Sequence, residues 1–305
     1  MLVGLIDVDS HNFPNLVLMK FSAWYKQQGH ETCLLSPEDV FNGGSLFRPV
    51  NKLIGACVFD WNKPIADRLK RIGAWVAGTG TKDYKTILPY EIEHVFPDYS
   101  LYDITDTAYG FLTRGCPRHC PFCIVGDKEG LISWQVADLA EFWNGQKNIQ
   151  LMDPNLLACS KHTGLLRQLA DSKARVDFNQ GLDARLLTKE NMELLDAVKI
   201  KRIHFAWDNP RDNTTKAKLE MFAKRKNYKP NSRHAIVYVL TNFWSTHQED
   251  LYRIYWLRDI GYQPYVMIFD KEHAPRETRL LQRWCNNFRI FNACRDFEDY
   301  DPSMG

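Results

Sequence analysis

Short apolar runs alternate along the chain with segments whose apolar residues recur at helical spacing. Residues 2–8 form the first such run, which closes on Asp7, Asp9 and Ser10. A helix is expected next, with Val17, Phe21 and Trp24 on one face and Gly29 near its end. Residues 32–35 read as a short strand. Ser36-Pro37-Glu38 then supplies a cap followed by proline at the first helical position. A strand over 53–59, a helix over 64–72 and a strand over 74–77 complete the pattern. It predicts an N-terminal doubly wound (flavodoxin/Rossmann-like) α/β domain with a parallel sheet over residues 1–102. Its last part, from about residue 82, is an irregular connector.

The pattern repeats six times further on. Strands are expected over 108–114, 148–152, 175–179, 202–206, 234–240 and 264–269, with helices over 135–143, 164–172, 189–198, 215–225 and 247–260 between them. Thr246 and Glu249 have the spacing of a capping box, and Leu251, Ile254 and Leu257 mark a buried helix face. Six successive βα units predict a parallel sheet that curls into a partial (β/α)6 barrel over 103–273. A helix over 276–286, with Trp284 and Phe288 for packing, begins a helical extension over 274–305.

The chain has 305 residues, of which 45% are hydrophobic and 13% aromatic, enough for one large or two ordinary domains with a real core. Lys plus Arg (39) balances Asp plus Glu (37), so net charge does not indicate nucleic acid. The basic stretch 216–233 reads as a solvated helix face and loop. No apolar run is long enough to span a bilayer, and the first residues lack the features of a signal peptide, so a cytoplasmic protein without a membrane partner is expected. The eight cysteines are then not a disulfide framework. Cys33 and Cys57 lie in apolar runs and read as small buried hydrophobes. The role of Cys285 and Cys294 stays open, since two spaced thiols alone make no cluster site.

In parallel α/β folds, ligands bind at the carboxyl ends of the strands. Arg114, Gly115 and a cysteine cluster follow the first barrel strand. Asp153 and Asn155 follow the second, and Gln180-Gly181-Leu182-Asp183-Ala184-Arg185 the third. Asp208, Thr241-Asn242 and Asp270 follow the rest. Asp, Asn and Thr there are candidates for ligand contact and equally for helix caps. Arg185 is a poor N-cap. The cluster Cys116-Pro117-Arg118-His119-Cys120-Pro121-Phe122-Cys123 offers three soft thiolates on one irregular loop. Three thiolates suit an iron–sulfur cluster with one iron left open. The competing reading is structural zinc with help from His119, but the paired Cys-x-x-Cys knuckles of zinc ribbons are absent.

Three cysteines at these spacings after the first of six βα units, with Phe122 before the third, resemble the radical S-adenosylmethionine superfamily over about residues 103–270. The resemblance implies a 4Fe–4S cluster on Cys116, Cys120 and Cys123, whose open iron chelates the amino and carboxylate groups of S-adenosylmethionine. It also implies a one-electron donor such as flavodoxin or ferredoxin, and a 5′-deoxyadenosyl radical that acts on substrate. Phe122 would lie beside the adenine. Asp183 and Arg185 match the polar pair after the third strand in cobalamin-type and methylthiotransferase-type members. Gln180, Asp153, Asp208, Thr241 and Asn242 complete the candidate cofactor contacts. The chain departs from the family there: Ala206-Trp207-Asp208 replaces Gly-Ile-Glu, Thr241-Asn242 replaces a glycine-rich turn, and no Gly-Gly-Glu precedes Asp153.

A doubly wound domain before such a barrel resembles the cobalamin-binding class. Asp9-Ser10-His11-Asn12-Phe13-Pro14 approaches its Asp-x-His-x-x-Gly signature, with proline for glycine. Gly43-Gly44 and Gly78-Thr79-Gly80 would allow a bulky ligand close to the backbone. Cobalamin is thus a further candidate cofactor. Three readings of function follow. The first is a radical S-adenosylmethionine enzyme on an unidentified substrate, with methyl or sulfur-group transfer as its candidate reaction. The others are a methylthiotransferase-like RNA modifier, whose second cysteine set and RNA-binding barrel are missing here, and a non-catalytic iron–sulfur scaffold or regulator.

Overall fold

The computed structural model describes residues 1–9, 13–42, 49–230 and 233–303. The chain divides into two compact units, Met1–Gly110 with Ala137–Gln146, and Phe111–Val136 with Lys147–Gly305.

In the first unit, strand β1 (Leu2–Asp7) is followed by α1 (Leu16–Gln27), β2 (Glu31–Leu35), α2 (Pro37–Phe41), β3 (Lys52–Ala56), α3 (Lys63–Arg71), β4 (Trp75–Ala77), the short α4 (Tyr90–Glu93) and β5 (Thr107–Gly110). The first four strands are parallel in the order β2-β1-β3-β4. β1 is apolar from Leu2 to Ile6 because both its faces are covered. Val3 and Leu5 pack with Leu18, Phe21 and Tyr25 of α1, while Ile6 and Val8 pack with Ala66 and Leu69 of α3. Each of the Val, Leu, Ile and Phe side chains contributes roughly 1.5–3 kcal/mol by leaving water. Asn15 caps α1, and Ser36 with Asp39 closes a capping box on α2. The doubly wound expectation therefore holds at the level of a parallel α/β sheet with helices on both faces.

In the second unit, β6 (Thr113–Arg114) and β7 (Trp134–Gln135) form an antiparallel pair flanking α5 (Val125–Glu129). β8 (Asn148–Leu151), α6 (His162–Ser172), β9 (Arg175–Leu182), α7 (Lys189–Ala197), β10 (Ile200–Ala206), α8 (Asn213–Lys226), β11 (Ala235–Thr241), α9 (His247–Asp259) and β12 (Gln263–Ile268) follow. β8 to β12 lie side by side in sequence order, all parallel. The helix-facing side of the strands is apolar: Phe205 meets Phe222 of α8 edge-on, and Val266 packs on Leu281 and Trp284 of α10 (Arg276–Asn286). Helix α11 (Phe288–Ala293) joins this core, which also holds Cys285 and Cys294 as buried, unpaired thiols.

Three expectations change. The helix over 135–143 is absent: Trp134–Gln135 pairs with β6, and the capped Asp138 starts only a single 3-10 turn over Leu139–Glu141. The strand over 108–114 is broken in two, because the Leu112 and Thr113 N–H groups turn to the Asp153 carboxylate. The third strand runs on to Leu182. Its pairing with β10 slips between Ile203↔Phe178 and Phe205↔Leu182, a bulge carrying Gln180 and Gly181, the latter at φ +105°. Among the described residues no helix is long and apolar enough to cross a membrane. The basic residues of α8 are engaged locally: Arg225 and Lys226 pair with Asp196, and Lys216 lies over Trp256.

Candidate active site

The three-cysteine loop leaves β6 at Gly115, whose φ is +77° and whose Cβ would stand 2.1 Å from the Ile132 carbonyl oxygen, so only glycine fits. Glu129 anchors the loop base. It accepts from Gly115 N–H at 3.1 Å and from Arg114 Nη1 at 3.0 Å. Cys116 N–H donates to the Gly130 carbonyl, and Cys123 N–H to that of Cys120. His119 takes a positive φ of 45° between them. Cys116 and Cys120 are half-buried and Cys123 exposed, all as free thiols.

The three sulfurs share one electrostatic neighbourhood. Burial raises the Cys120 pKa, with Asp208 and the other two thiols adding to it and Arg185 opposing. Burial also raises that of Cys123, against the Val125 N–H. Asn155 is buried and donates from Nδ2 to Cys116 Sγ at 3.4 Å, the kind of contact that steadies a ligating sulfur. Among the described residues no three His, Cys, Asp or Glu stand at metal-holding spacing. The donors gathered on the loop are nevertheless soft, and sulfur with an amide N–H behind it fits an iron–sulfur cluster better than a hard cation.

Two tethers hold the loop to the strand ends. Arg118 Nε donates to Asp183 Oδ2 at 2.5 Å. Asp183 caps the turn after β9 and also accepts from Arg185 N–H and Arg185 Nε, the latter at 2.7 Å. Burial works to raise the Asp183 pKa, but Arg185 and Arg118 outweigh it and hold the carboxyl below its usual range. Phe122 is the second tether, edge-on to Phe243 and Trp244 after β11 at 5.6 and 5.5 Å. The structure thus brings Cys116, Cys120, Cys123, Phe122, Asp183, Arg185 and Asp208 into one neighbourhood.

Asp208 follows β10, and burial lifts its carboxyl to about 6 against the pull of Arg253 and Arg185. The remaining expected contacts are used differently. Asp153 is fully enclosed and accepts from Leu112 N–H, Thr113 N–H and Thr113 Oγ1; burial lifts it to about 6. Thr241 is buried with its hydroxyl on the Met267 carbonyl, and Asn242, at φ +61°, donates to the Phe269 carbonyl at 2.8 Å. Gln180 is exposed on its bulge, and Asp270 holds His273.

Sequence reading missed Arg118, Glu129, Phe243, Trp244 and Arg253. A charged residue inside the cysteine loop was the available signal for Arg118. In the first unit, His11, Gly43 and Gly44 lie outside the described residues. Gly78 and Gly80 do not open onto a ligand: a Cβ at either would meet the backbone of Cys57 or Phe59 at 2.3–2.4 Å, so they pack chain against chain. A cavity of about 530 Å³ in that unit is lined by Asp7, Leu34, Ser36, Asp39, Tyr102 and Tyr109 among others.

No family model matches the sequence, and no curated protein matches it. The fold is similar to that of a solved radical S-adenosylmethionine methyltransferase, TsrM from Kitasatospora setae, whose structure holds tryptophan substrate and the analogue aza-SAM. The TM-score is 0.55 at 12% sequence identity, over 78% of this chain and 67% of that one. At this identity the likeness is one of fold.

Proposed function

We propose that the protein is a radical S-adenosylmethionine enzyme. The observation that carries this reading is the three-cysteine loop, tethered to the ends of a parallel sheet by Arg118–Asp183 and Phe122–Phe243, on a fold similar to that of TsrM. Cys116, Cys120 and Cys123 would hold a 4Fe–4S cluster, which when bound supplies one electron to split S-adenosylmethionine into methionine and a 5′-deoxyadenosyl radical. The protein's own groups orient and enclose the cofactor. Arg185, fixed by Asp183, offers a cation to its carboxylate. Phe122 and Trp244 offer ring faces to the adenine. Asp208 is an acceptor for hydroxyl or amino hydrogens above about pH 6. The electron comes from a flavodoxin- or ferredoxin-type donor, and methyl or sulfur-group transfer is the candidate outcome. The same reading treats the second unit as a partial barrel with a helical extension.

The test is anaerobic reconstitution with iron and sulfide, followed by dithionite and S-adenosylmethionine. Methionine and 5′-deoxyadenosine are expected, and Cys116→Ala, Cys120→Ala and Cys123→Ala should each abolish both the cluster spectrum and the products. Wild-type protein that yields neither product, with Cys116→Ala keeping the wild-type spectrum, overturns the reading. A reconstituted cluster that does not bind S-adenosylmethionine in calorimetry favours a scaffold instead.

A further inference from the structure

The cavity of about 530 Å³ in the first unit lies at the carboxyl ends of β1 and β2, where Asp7 closes one strand, Leu35 closes the other, and both line the space. Ligands of doubly wound sheets bind outside such strand ends. The crevice on the other side of β1, toward β3, is closed instead. The Asp9 carboxylate accepts from Val58 N–H, from Phe59 N–H at 3.2 Å and from Asn62 Nδ2 at 2.9 Å, which draws the turn after β3 onto the end of β1. With Gly78 and Gly80 packed against Cys57 and Phe59, that side is filled by the chain's own backbone. The space left beside β2 has the size of a small-molecule pocket.

Its wall is held in place. Tyr102, from the 3-10 turn Tyr99–Tyr102, donates to Asp7 Oδ2 at 2.8 Å, and Tyr99 of the same turn donates to the Phe142 carbonyl at 2.6 Å. Burial and the Asp7 charge raise the Tyr102 pKa, so the phenol keeps its proton. The chemistry of the lining disfavours an anion. The described lining residues include two carboxylates, Asp7 and Asp39, and no Lys, Arg or His. Helix α2 offers little in their place, since Pro37 has no N–H and Ser36 Oγ accepts the N–H of Asp39. Three aromatic side chains, Phe13, Tyr102 and Tyr109, share the lining with the carboxylates. That combination suits an organic ammonium group, whose charge and N–H groups go to carboxylate and whose neighbouring carbons go to rings.

We infer that this cavity is a ligand site of the first unit and that it takes a small organic amine, its ammonium group set toward Asp7 and its apolar or aromatic body against Phe13, Leu34 and Tyr109. The site is independent of the radical S-adenosylmethionine reading, and binding there needs neither iron nor cofactor.

The probes are 2-phenylethylamine, 2-phenylethanol and phenylacetate, with matched amine, alcohol and carboxylate sets on indole and naphthalene bodies. They are titrated into the full-length protein as purified without iron, and read by saturation-transfer NMR and calorimetry. In at least one set the amine should bind at a single site about tenfold or more tighter than the alcohol, with the carboxylate weaker still. Asp7→Asn keeps an acceptor for Tyr102 but drops the charge, and should bring amine and alcohol level. Leu34→Trp, at a position 37% exposed, should fill the cavity and abolish binding of every probe. Ile87→Ser, at an 81%-exposed position of the same unit, should change nothing. Circular dichroism on each variant reports that the fold is kept. The proposal is overturned by absence of saturable binding in all sets, by an alcohol or carboxylate that matches its amine in every set, or by an amine preference that survives Asp7→Asn. Hydroxocobalamin that stays with the protein through gel filtration and displaces the amines would give the cavity to a corrinoid and overturn it as well. Failure of S-adenosylmethionine cleavage would leave these results standing.

Discussion

Arg118 Nε and Asp183 Oδ2 stand 2.5 Å apart, joining the middle of the three-cysteine loop to the cap of the turn after β9. The Arg118 side chain is 33% exposed and that of Asp183 only 5%, so the two ends of the pair are not equivalent. Removing the buried acceptor leaves Arg118 and Arg185 both without it. Asp183→Ala should cost about 1–3 kcal/mol in urea denaturation, with loss of iron retention after reconstitution. Arg118→Gln should cost no more than about 1 kcal/mol, because an exposed partner contributes little. It should still lower iron retention, since the loop loses its latch. Unchanged iron content in both variants would show the pair to be ornamental.

The carboxylates of this unit pull stability in opposite directions with pH. Asp183 lies below its usual range, so its contribution is complete above the unfolded value near 4 and is lost as pH falls through the lower folded value. Asp153 and Asp208 are raised to about 6, so the folded state binds more protons than the unfolded one between about pH 4 and 6, and stability falls across that window as pH rises. Asp208→Asn removes one of these penalties. Its melting temperature should exceed that of wild type at pH 7 and converge with it at pH 4. A variant less stable at pH 7 than at pH 4 relative to wild type would reverse the sign assigned to Asp208.

Gly115 and Gly130 flank the site with similar backbone angles, φ +77° and +91°, but different surroundings. A Cβ at Gly115 strikes the Ile132 carbonyl, whereas one at Gly130 meets nothing within 4 Å. Gly130→Ala should therefore cost only the backbone penalty of its glycine-favouring conformation, φ +91° and ψ 170°, about 1–3 kcal/mol. Gly115→Ala must also move the bend at Ile132 that leads into β7, and should abolish cluster loading. Thermal melts and iron assays on the two variants give the contrast, and equal behaviour would contradict it.

The alternation of strand and helix was legible because each element is dictated by its own apolar period: β1 reads as apolar from Leu2 to Ile6 since α1 and α3 cover its two faces. The cysteine loop was legible because its spacing is local. What periodicity cannot encode is which single polar residue meets which across the sheet. Asp153 looked like a ligand at a strand end, and instead closes the backbone of Leu112 and Thr113, some 40 residues away in sequence. Thr241 and Asn242 likewise tie β11 to the end of β12. Gln135 opened the helix expected over 135–143, yet pairing with Thr113 drew it into a strand beside Trp134, tertiary context overriding local preference.

Arg253 extends this point to a residue that no strand-end pattern would single out. It lies on α9, fully buried, and donates to the carbonyls of Trp207, Asp208 and Leu240 and to the Asp250 carboxylate. It thereby pins the ends of β10 and β11, and with them the backbone that carries Asp208. Lysine has one point charge and no planar fork to span three carbonyls, so Arg253→Lys should not rescue function. Arg253→Met strands a buried Asp250 and should cost about 3–5 kcal/mol. Asp208 should then titrate still higher, because Arg253 is the strongest of the groups that lower it. Pairing Arg253→Met with Asp250→Leu removes both charges and should recover much of the loss in urea denaturation. It should leave S-adenosylmethionine binding impaired, since the three carbonyls stay unbridged. A double variant with wild-type binding would show that Arg253 neutralises Asp250 and does nothing for the site.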